Sequence, residues 1–226
     1  MNVNDITDAD RARFNMVEQQ IRPWNVQDER VLQAVFDMPR ERFVPPQMRA
    51  LAFTDTELPL VIDGVDTRET MLSPKVEAKL AEELQLKPTD CVLEIGTGSG
   101  YQAALLSRLC QQVTSIEFES RLSAFAQANL ARSQVANVTV ETGDAHAGWG
   151  TAEYDAILIT GSVPSVPDAL KYQLAVGGRL VAIVGHNPIM TVCRITRTSA
   201  ANFDTVSIFD TYVKPLRGTA RSRFKF

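Results

Sequence analysis

Three glycines in the middle of the chain have the spacing of a ligand-binding loop. Gly96, Gly98 and Gly100 stand in "VLEIGTGSG", where an apolar run ends and a helical pattern begins. Glycines suit such a turn because the backbone bends sharply and a ligand approaches it without a side chain in the way. The segment therefore predicts a strand, a binding loop that includes Thr97 and Ser99, and a helix.

The glycine spacing departs from the dinucleotide fingerprint. In G-x-G-x-x-G the third glycine would stand at position 101, where this chain has Tyr101. Glu94 lies in the strand just before the loop, where its carboxylate would repel a pyrophosphate. It would instead suit the cationic amino-acid end of S-adenosylmethionine, often through a water. We therefore expect S-adenosylmethionine as the cofactor and keep a nicotinamide site as the less favoured alternative.

Two further acidic residues end the next two predicted strands. Glu117 follows Gly96 by 21 residues, the place of an acid that accepts ribose hydroxyls. Asp144 ends the third strand, where it could hydrogen-bond the adenine amino group. In open α/β sheets, ligands bind at the carboxyl ends of the strands, so these acids should share one cleft. The predicted cofactor site also includes Phe118, Ala145 and Thr160.

The pattern from position 91 onward predicts the sheet that would position these residues. Apolar strand-like runs alternate with helical segments, which indicates a parallel sheet covered on both faces. Near the end, "MTVCRITRT" and "TVSIFDTYV" follow each other with no helix between them. They predict a hairpin whose outer strand enters the sheet antiparallel. We expect an α/β, Rossmann-like class I methyltransferase fold with a mostly parallel, seven-stranded sheet.

Positions 1–90 have a different residue pattern, which predicts an extension of helices and loops. One helix would start with Asp8 as its N-cap, and a second would start at Asp28. A stretch rich in proline, 39–64, predicts loop with short extended pieces. Ser73 would cap a third helix that has Pro74 at its first position. We expect a single domain, 1–226, in which 1–90 covers the cleft of a core formed by 91–226.

Composition restricts the partners. The chain has 226 residues and a net charge of −4, which gives no reason to expect nucleic acid. No apolar run reaches the ~20 residues that span a membrane, and the polar start lacks the apolar centre of a signal peptide. Three scattered cysteines without metal-ligand spacing are expected to be reduced and structural. We therefore predict a cytoplasmic protein with no metal site and no membrane partner.

Several segments resemble the protein-L-isoaspartate O-methyltransferase family. The run "VLEIGTGSGYQAALLS" is similar to its nucleotide loop, and "MVEQQI" with "DERVLQAVFDMPRERFVP" is similar to its N-terminal region. "AFTDTELPL", "YDAILITGSVPSVPDAL", "QLAVGGRLVAIVG" and "YVKPL" continue the likeness in order. The resemblance covers roughly 16–216, and its N-terminal blocks are specific to this family among methyltransferases.

The resemblance implies a repair reaction. Such enzymes methylate the free carboxylate of L-isoaspartyl residues in damaged proteins, and the ester then closes to a succinimide that reopens partly to normal aspartate. A carboxylate is ionised at pH 7, so no general base is required. The protein must hold donor and acceptor in line and exclude water. The implied partner is an isoaspartyl protein or peptide, and the oligomeric state stays open.

The chain departs from the family in the predicted loop before Pro74, where the acceptor should bind. The family reads approximately Gly-Gln-Thr-Ile-Ser, one further residue and Pro, and here the run is "RETMLSP". Thr70 matches the threonine, but Leu72 stands at the serine whose hydroxyl the family places between methyl donor and acceptor. Ser73 either shifts into that role or caps the helix. Arg68 replaces the glycine and either pairs with a carboxylate substrate or is solvated; Glu69 replaces the glutamine.

These departures keep two other functions open. One is a methyltransferase of the same descent with another acceptor, and the other is a catalytically silent protein that binds S-adenosylmethionine. Ser162, His186 and Trp149 could border the cleft, although an ordinary turn, loop or packing role is expected for each. The basic tail could be a flexible end or could dock on a partner or on the acidic surface; it carries Arg217, Arg221, Arg223 and Lys225.

Overall fold

A computed structural model describes residues 7–218 and contains two sheets. The small sheet is an antiparallel pair, β1 (Leu58–Ile62) and β2 (Val65–Met71). The large sheet has seven strands. They are β3 (Cys91–Ile95), β4 (Gln112–Glu117), β5 (Val138–Thr142), β6 (Tyr154–Val163), β7 (Leu174–His186), β8 (Ile189–Arg197) and β9 (Phe203–Thr211).

The large sheet is mostly parallel, as the alternating pattern predicts. Its order is β5-β4-β3-β6-β7-β8-β9, and the first five strands in that order run parallel to one another. The prediction for the closing hairpin was wrong in one detail. The inner strand, β8, pairs antiparallel with β7, and the outer strand, β9, forms the edge of the sheet. Crossovers through helices place the ends of β3, β4, β5 and β6 at one rim.

Six α-helices accompany the strands among the described residues. They are α1 (Asp8–Met16), α2 (Glu29–Asp37), α3 (Pro74–Glu83), α4 (Tyr101–Ser107), α5 (Ser120–Arg132) and α6 (Asp168–Tyr172). Asp28 caps α2 as predicted, but the cap of α1 is Thr7 and not Asp8. Thr7 and Asp10 bond each other's backbone amides in a capping box, which satisfies two free N–H groups at the helix start.

The proline-rich stretch is more ordered than predicted. It contains two 3₁₀ helices, Arg40–Arg42 and Pro46–Leu51, followed by the β1–β2 hairpin. Asp63 and Gly64 form its two-residue turn with φ values of 51° and 76°, the left-handed conformation that such turns require. The run before Pro74 is therefore a strand and not a loop.

The two faces of the sheet pack into separate clusters. On β3, Val92 faces a cluster formed with α1 to α4, and Leu93 faces a cluster that includes Leu170 of α6. The hairpin covers a third cluster through Leu60, against Tyr101 of α4. The N-terminal elements are thus packed onto the sheet, so their position relative to the cleft is defined by buried side chains. No helix within residues 7–218 is long and apolar enough to cross a membrane.

The segment after β9 returns across the rim of the sheet. Ser162 N donates to Lys214 O at 2.9 Å, Leu216 N donates to Ser162 O at 2.9 Å, and Ser162 Oγ donates to Val213 O. We call residues 213–218 the C-terminal strap. A Cβ at Gly161 would lie 3.0 Å from the backbone of Leu216, so glycine permits this close approach.

Candidate functional site: a cofactor pocket beside an acceptor strand

The glycine loop and the acid at the end of β4 form the centre of a pocket at the rim of the sheet. Gly96, Gly98 and Gly100 have φ values of 97°, 55° and 84°, which side chains rarely adopt. Glu117 Oε2 accepts the amide of Gly98 at 2.8 Å, and its Oε1 accepts the amide of Glu119 at 3.0 Å. Each oxygen keeps a lone pair that a ribose hydroxyl could use.

Polar side chains fix the loop: Ser99 Oγ accepts the amide of Tyr101 at 3.3 Å, and Thr97 is linked through Ser115 to Glu94 in the strand before the loop. The hydroxyls of Thr97 and Ser115 are 2.6 Å apart, and Ser115 Oγ donates to Glu94 Oε2 at 2.5 Å. Glu94 is fully buried behind the loop rather than on the pocket wall, and its Oε1 has no partner among residues 7–218. The pKa of Glu94 is raised to about 8, chiefly by burial and also by the charges of Glu117 and Glu77, while the hydrogen bond from Ser115 opposes this shift. Its contact with the amino-acid end of a cofactor therefore stays a prediction.

The predicted adenine side of the pocket lies at the end of β5. Asp144, Ala145 and Phe118 line it, and Asp144 Oδ1 accepts the amide of His146 at 2.9 Å. Ala145 is buried, and its φ is not in the left-handed region, so alanine is accommodated here without strain. Phe118 is half exposed, which leaves its ring free to cover a ligand.

Thr160 closes the base of the pocket. Its hydroxyl donates to the carbonyls of Ile95 and Gly96, at 3.1 and 2.7 Å. A Cβ at Gly96 would clash with this hydroxyl, so the loop and β6 require glycine at that position. Thr160 thus positions the loop, in addition to lining the pocket.

The predicted acceptor segment is the last part of β2 and its exit into α3. Thr70, Met71 and Leu72 line the pocket beside the cofactor loop, and the Thr70 hydroxyl donates to Glu57 Oε2 at 2.8 Å. Ser73 stands at the N-cap position of α3, but its side chain makes no capping hydrogen bond. Neither Ser73 nor Arg68 lines the pocket that the described residues form.

Arg68, which stands where the family pattern has a glycine, adopts a backbone conformation that favours glycine. Its φ is 62°, and its amide donates to Asp66 Oδ1 at 2.8 Å. The left-handed conformation favours glycine. The side chain is exposed, in agreement with a solvated charge.

The sequence patterns did not identify Arg40 and Glu77 as site residues. Arg40 is fully buried, and its Nη1 donates to Glu77 Oε2 while its Nη2 donates to Leu72 O at 2.6 Å. Glu77 is 3% exposed and lines the pocket, as does Gln102. Burial raises the pKa of Glu77 to about 7, although the charge of Arg40 opposes this shift. The sequence of α3 did contain a signal for a buried acid. Glu77 stands one turn after Pro74, on a helix face where Val76 and Leu80 are buried.

The C-terminal strap supplies another wall. Arg217 lines the pocket, and its Nε donates to Glu69 Oε1 at 2.6 Å and its Nη1 to Glu119 Oε2 at 2.9 Å. Its Nη2 donates to Thr67 O. Arg217 therefore joins the strap to β2 and to the turn after β4. The start of the basic tail docks on acidic groups, while Arg221, Arg223 and Lys225 lie outside the described residues.

The other candidates lie around the pocket rather than in it. Ser162 is buried and bonds the strap, His186 is exposed at the end of β7, and Trp149 packs against Gly143. All three cysteines are free, as predicted. No group of three or more potential metal ligands occurs in the part of the chain that the structure describes.

The donor and acceptor groups in the pocket fit S-adenosylmethionine. The glycines leave space for a ligand at the loop, and the carboxylate of Glu117 keeps free lone pairs at the end of β4. The unpaired Oε1 of Glu94, buried behind the loop, becomes a further acceptor when a cationic group nearby favours the ionised carboxylate. A ligand with hydroxyls and a cationic end matches these acceptors, whereas a pyrophosphate would lie near buried carboxylates.

Comparisons with known proteins agree with this arrangement. The model of the protein-L-isoaspartate(D-aspartate) O-methyltransferase family matches residues 11–216. Protein-L-isoaspartate O-methyltransferase 1 of Rhodopseudomonas palustris (strain HaA2) is 41% identical over 95% of this chain and 86% of its own length. Protein-L-isoaspartate O-methyltransferase 2 of Marinobacter nauticus is 41% identical over 95% of each chain.

Solved structures show the same fold. A protein-L-isoaspartate O-methyltransferase structure superimposes with a TM-score of 0.77 at 24% identity, covering 92% of this chain and 65% of its own. A Plasmodium falciparum protein described in the same terms, in complex with S-adenosyl-L-homocysteine, has a TM-score of 0.75 at 17% identity and covers 93% and 99%. The family model and the two relatives at 41% identity show that the chain belongs to the protein-L-isoaspartate O-methyltransferase family.

Proposed function

We propose that this chain transfers the methyl group of S-adenosylmethionine to the free carboxylate of L-isoaspartyl residues in damaged proteins. The observation that carries the proposal is a single pocket with the cofactor loop on one side and strand β2, which aligns with the acceptor segment of the family, on another. When bound, S-adenosylmethionine would supply a methyl group on a positively charged sulfur. The acceptor oxygen forms a bond to the methyl carbon with its own electron pair, and the electron pair of the broken carbon–sulfur bond stays on the sulfur.

On the donor side, the residues bind S-adenosylmethionine and orient it. Glu117 accepts the ribose hydroxyls with the lone pairs that its two amide contacts leave free, and Asp144 accepts the adenine amino group. Phe118 covers the adenosine, and the loop from Gly96 to Gly100 contacts the amino-acid end. The cationic end of the bound cofactor lowers the pKa of Glu94 and favours its ionised form, which attracts that end from behind the loop, through a water.

On the acceptor side, the residues position a carboxylate that is already ionised at pH 7. Thr70, Met71 and Leu72 form the wall against which the acceptor lies. No proton has to be removed, so close approach and exclusion of water are sufficient to promote the transfer. The resulting ester closes to a succinimide without further help, which gives the route back to aspartate. The three free cysteines support a reducing, cytoplasmic location.

A direct assay tests the proposal. The protein is incubated with labelled S-adenosylmethionine and an isoaspartyl peptide, beside the same peptide with normal aspartate. We expect methyl transfer to the isoaspartyl peptide alone. If calorimetry shows that the cofactor binds but no methyl group is transferred to that peptide, the proposed function is wrong and the cofactor assignment stands.

Leu72 favours a second candidate, a methyltransferase of this family with another acceptor. A leucine side chain at the wall cannot donate a hydrogen bond to a carboxylate. Transfer to other carboxylates or to small molecules, with none to the isoaspartyl peptide, is the result that would favour this candidate.

A further inference from the structure

A single guanidinium holds the carboxylate of Glu77 beside residue 72. Arg40 Nη1 donates to Glu77 Oε2, and Arg40 Nη2 donates to Leu72 O at 2.6 Å. The two nitrogens belong to one planar group, so their acceptors are neighbours in space. Glu77 and Leu72 also line the same pocket. A carboxyl group therefore lies near the backbone of residue 72, the position where the family has its serine, and on the same pocket.

The second carboxyl oxygen of Glu77 is unused. Oε2 takes the bond from Arg40, and within residues 7–218 Oε1 has no hydrogen-bond partner. Glu77 is only 3% exposed, and it lines the pocket, so the little accessible surface that it keeps is available to a ligand there. An oxygen without a protein partner at the wall of a pocket can form a hydrogen bond to a bound ligand.

The charge of the acceptor decides which form of Glu77 can bond it. An ionised Glu77 would repel an isoaspartyl carboxylate, whereas a protonated Glu77 can donate its O–H. We propose that protonated Glu77 binds the acceptor and donates a hydrogen bond to the isoaspartyl carboxylate, in place of the hydroxyl that Leu72 lacks. This inference rests on the proposed function.

The surroundings of Glu77 favour the neutral form at neutral pH. Burial raises its pKa to about 7 against the opposing charge of Arg40. The other titratable groups that interact with it are Glu94 of β3 and Tyr101 of α4. An acceptor carboxylate adds a like charge and raises the pKa of Glu77 further. Carboxylic acids in apolar sites serve as neutral hydrogen-bond donors in other enzymes.

Arg40 does not depend on an ionised Glu77. Its Nε donates to Ala52 O at 2.9 Å, its Nη2 donates to Leu72 O, and its guanidinium carbon lies 4.9 Å from the centre of the Tyr101 ring. These contacts stabilise the cation when Glu77 is neutral. Glu77 keeps its proton during the transfer, since the acceptor oxygen attacks with its own electron pair.

Three variants test the assignment: Glu77→Leu, Glu77→Gln, and Glu77→Leu combined with Leu72→Ser. The kcat and KM for the isoaspartyl peptide are measured at saturating S-adenosylmethionine, and affinity for S-adenosylhomocysteine is measured by calorimetry. We expect Glu77→Leu to raise the KM for the peptide about 10- to 100-fold, the effect of losing a hydrogen bond to a charged group. Cofactor affinity should stay within about twofold, since the lost bond is to the acceptor.

Two comparisons separate a bond to the acceptor from a structural effect. Glu77→Gln keeps an N–H donor at nearly the same volume, so its KM should stay within a few-fold of wild type. The added serine in the double variant should restore most of the acceptor affinity that Glu77→Leu loses. Asp90→Asn is the matched control, because it breaks a buried arginine pair, Arg179–Asp90 at 2.5 Å, outside the pocket. It should lower the melting temperature without changing the KM.

The pH profile supplies an independent test. If the protonated form is the one that binds, kcat/KM for the peptide falls as pH rises through the pKa of Glu77. The Glu77→Gln variant has no proton to lose there and should not show this fall. Glu94→Gln should retain it.

The outcomes distinguish a failure of this inference from a failure of the proposed function. If wild type methylates the peptide and Glu77→Leu has an unchanged KM, the inference is wrong and the proposed function stands. The inference also fails if Glu77→Gln is as impaired as Glu77→Leu, if the fall with pH survives in Glu77→Gln, or if Leu72→Ser restores nothing. Absence of transfer by the wild-type protein overturns both. Should Glu77→Leu fail to fold, Glu77→Gln and the pH profile still decide.

Discussion

Glu117 and Gly98 hold each other in place: the carboxylate at the end of β4 accepts the amide of the central loop glycine at 2.8 Å. This bond joins the second strand of the core to the binding loop after the first. Burial raises the pKa of Glu117, while the amides of Glu119 and Gly98 lower it. The same carboxylate thus shapes the loop and offers lone pairs to a ligand.

Replacement of Glu117 by alanine should weaken the binding of S-adenosylmethionine. Loss of hydrogen bonds to a charged group costs about 1.5–3 kcal/mol, so we expect about a 10- to 100-fold loss of affinity by calorimetry. Glu153→Ala is the control, because this exposed acid pairs with Arg197 far from the pocket. Equal affinities for Glu117→Ala and wild type would contradict the placement of the ribose.

Replacement of Arg68 by glycine should stabilise the protein. The residue holds a φ of 62°, which is unfavourable for a side chain by about 1 kcal/mol. For a chain of this length, that gain raises the melting temperature by roughly 2–4 °C. Arg68→Ala keeps a Cβ at the same φ and should show no gain. Equal melting temperatures for the two variants would show that the side chain, and not the backbone, sets the stability here.

Replacement of Arg217 by methionine should weaken cofactor binding and reduce its dependence on salt. Arg217 joins the strap to Glu69 and Glu119 across the pocket, in ion pairs that are partly exposed and therefore screened by salt. We expect about a 3- to 10-fold loss of affinity at low salt and little difference from wild type at high salt. Arg22→Met is the matched control, because Arg22 also bridges two acids on the surface. A parallel salt dependence in wild type and Arg217→Met would refute the role of these pairs.

The stability of the cofactor-free protein should fall as pH rises from about 5 to about 8.5. The pKa values of Glu77 and Glu94 in the folded chain are about 7 and about 8, above the ordinary 4.5. The folded state thus holds these protons more tightly than the unfolded state, and that stabilisation is lost as pH rises through both values. Melting temperatures across this range provide the measurement. Glu94→Gln should flatten the decline, and an equally steep decline in that variant would contradict the assignment.

The sheet and the glycine loop could be predicted because their signals are local. Alternating apolar runs and helical segments reveal parallel strands, and the glycines of the loop mark a turn that only their backbone freedom permits. The predicted cap at Asp8 failed because Thr7 and Asp10 together form a better cap than Asp8 alone.

The β1–β2 hairpin carried a signal that the prolines obscured. Asp63-Gly64 is a favourable dipeptide for a two-residue hairpin turn, and it lies between Ile62 and Val65, which pair in the structure. Pro59 suggested a break, yet proline is tolerated in an edge strand because no ladder bond is required of its nitrogen. The prediction of a loop for the acceptor segment was therefore wrong, because residues 65–71 form β2.

The polar contacts of the acceptor side could not be predicted, because their partners are distant in sequence. Arg40 and Glu77 are 37 residues apart, and Arg217 and Glu69 are 148 apart. No periodic pattern connects such pairs, and buried charges look like surface charges in a sequence. Only the fold shows that Leu72 has a carboxyl group beside it.

The C-terminal strap has a consequence for the order in which the protein matures during synthesis. Residues 213–217 supply a wall of the pocket, although the loop, the acids and β2 are all made earlier. A chain still attached to the ribosome at residue 200 would contain the glycine loop but lack Leu216 and Arg217. The pocket can be fully enclosed only after residues 213–217 have left the exit tunnel, so a nascent chain that already exposes the loop, the acids and β2 would still hold a methyl donor less completely than the folded protein.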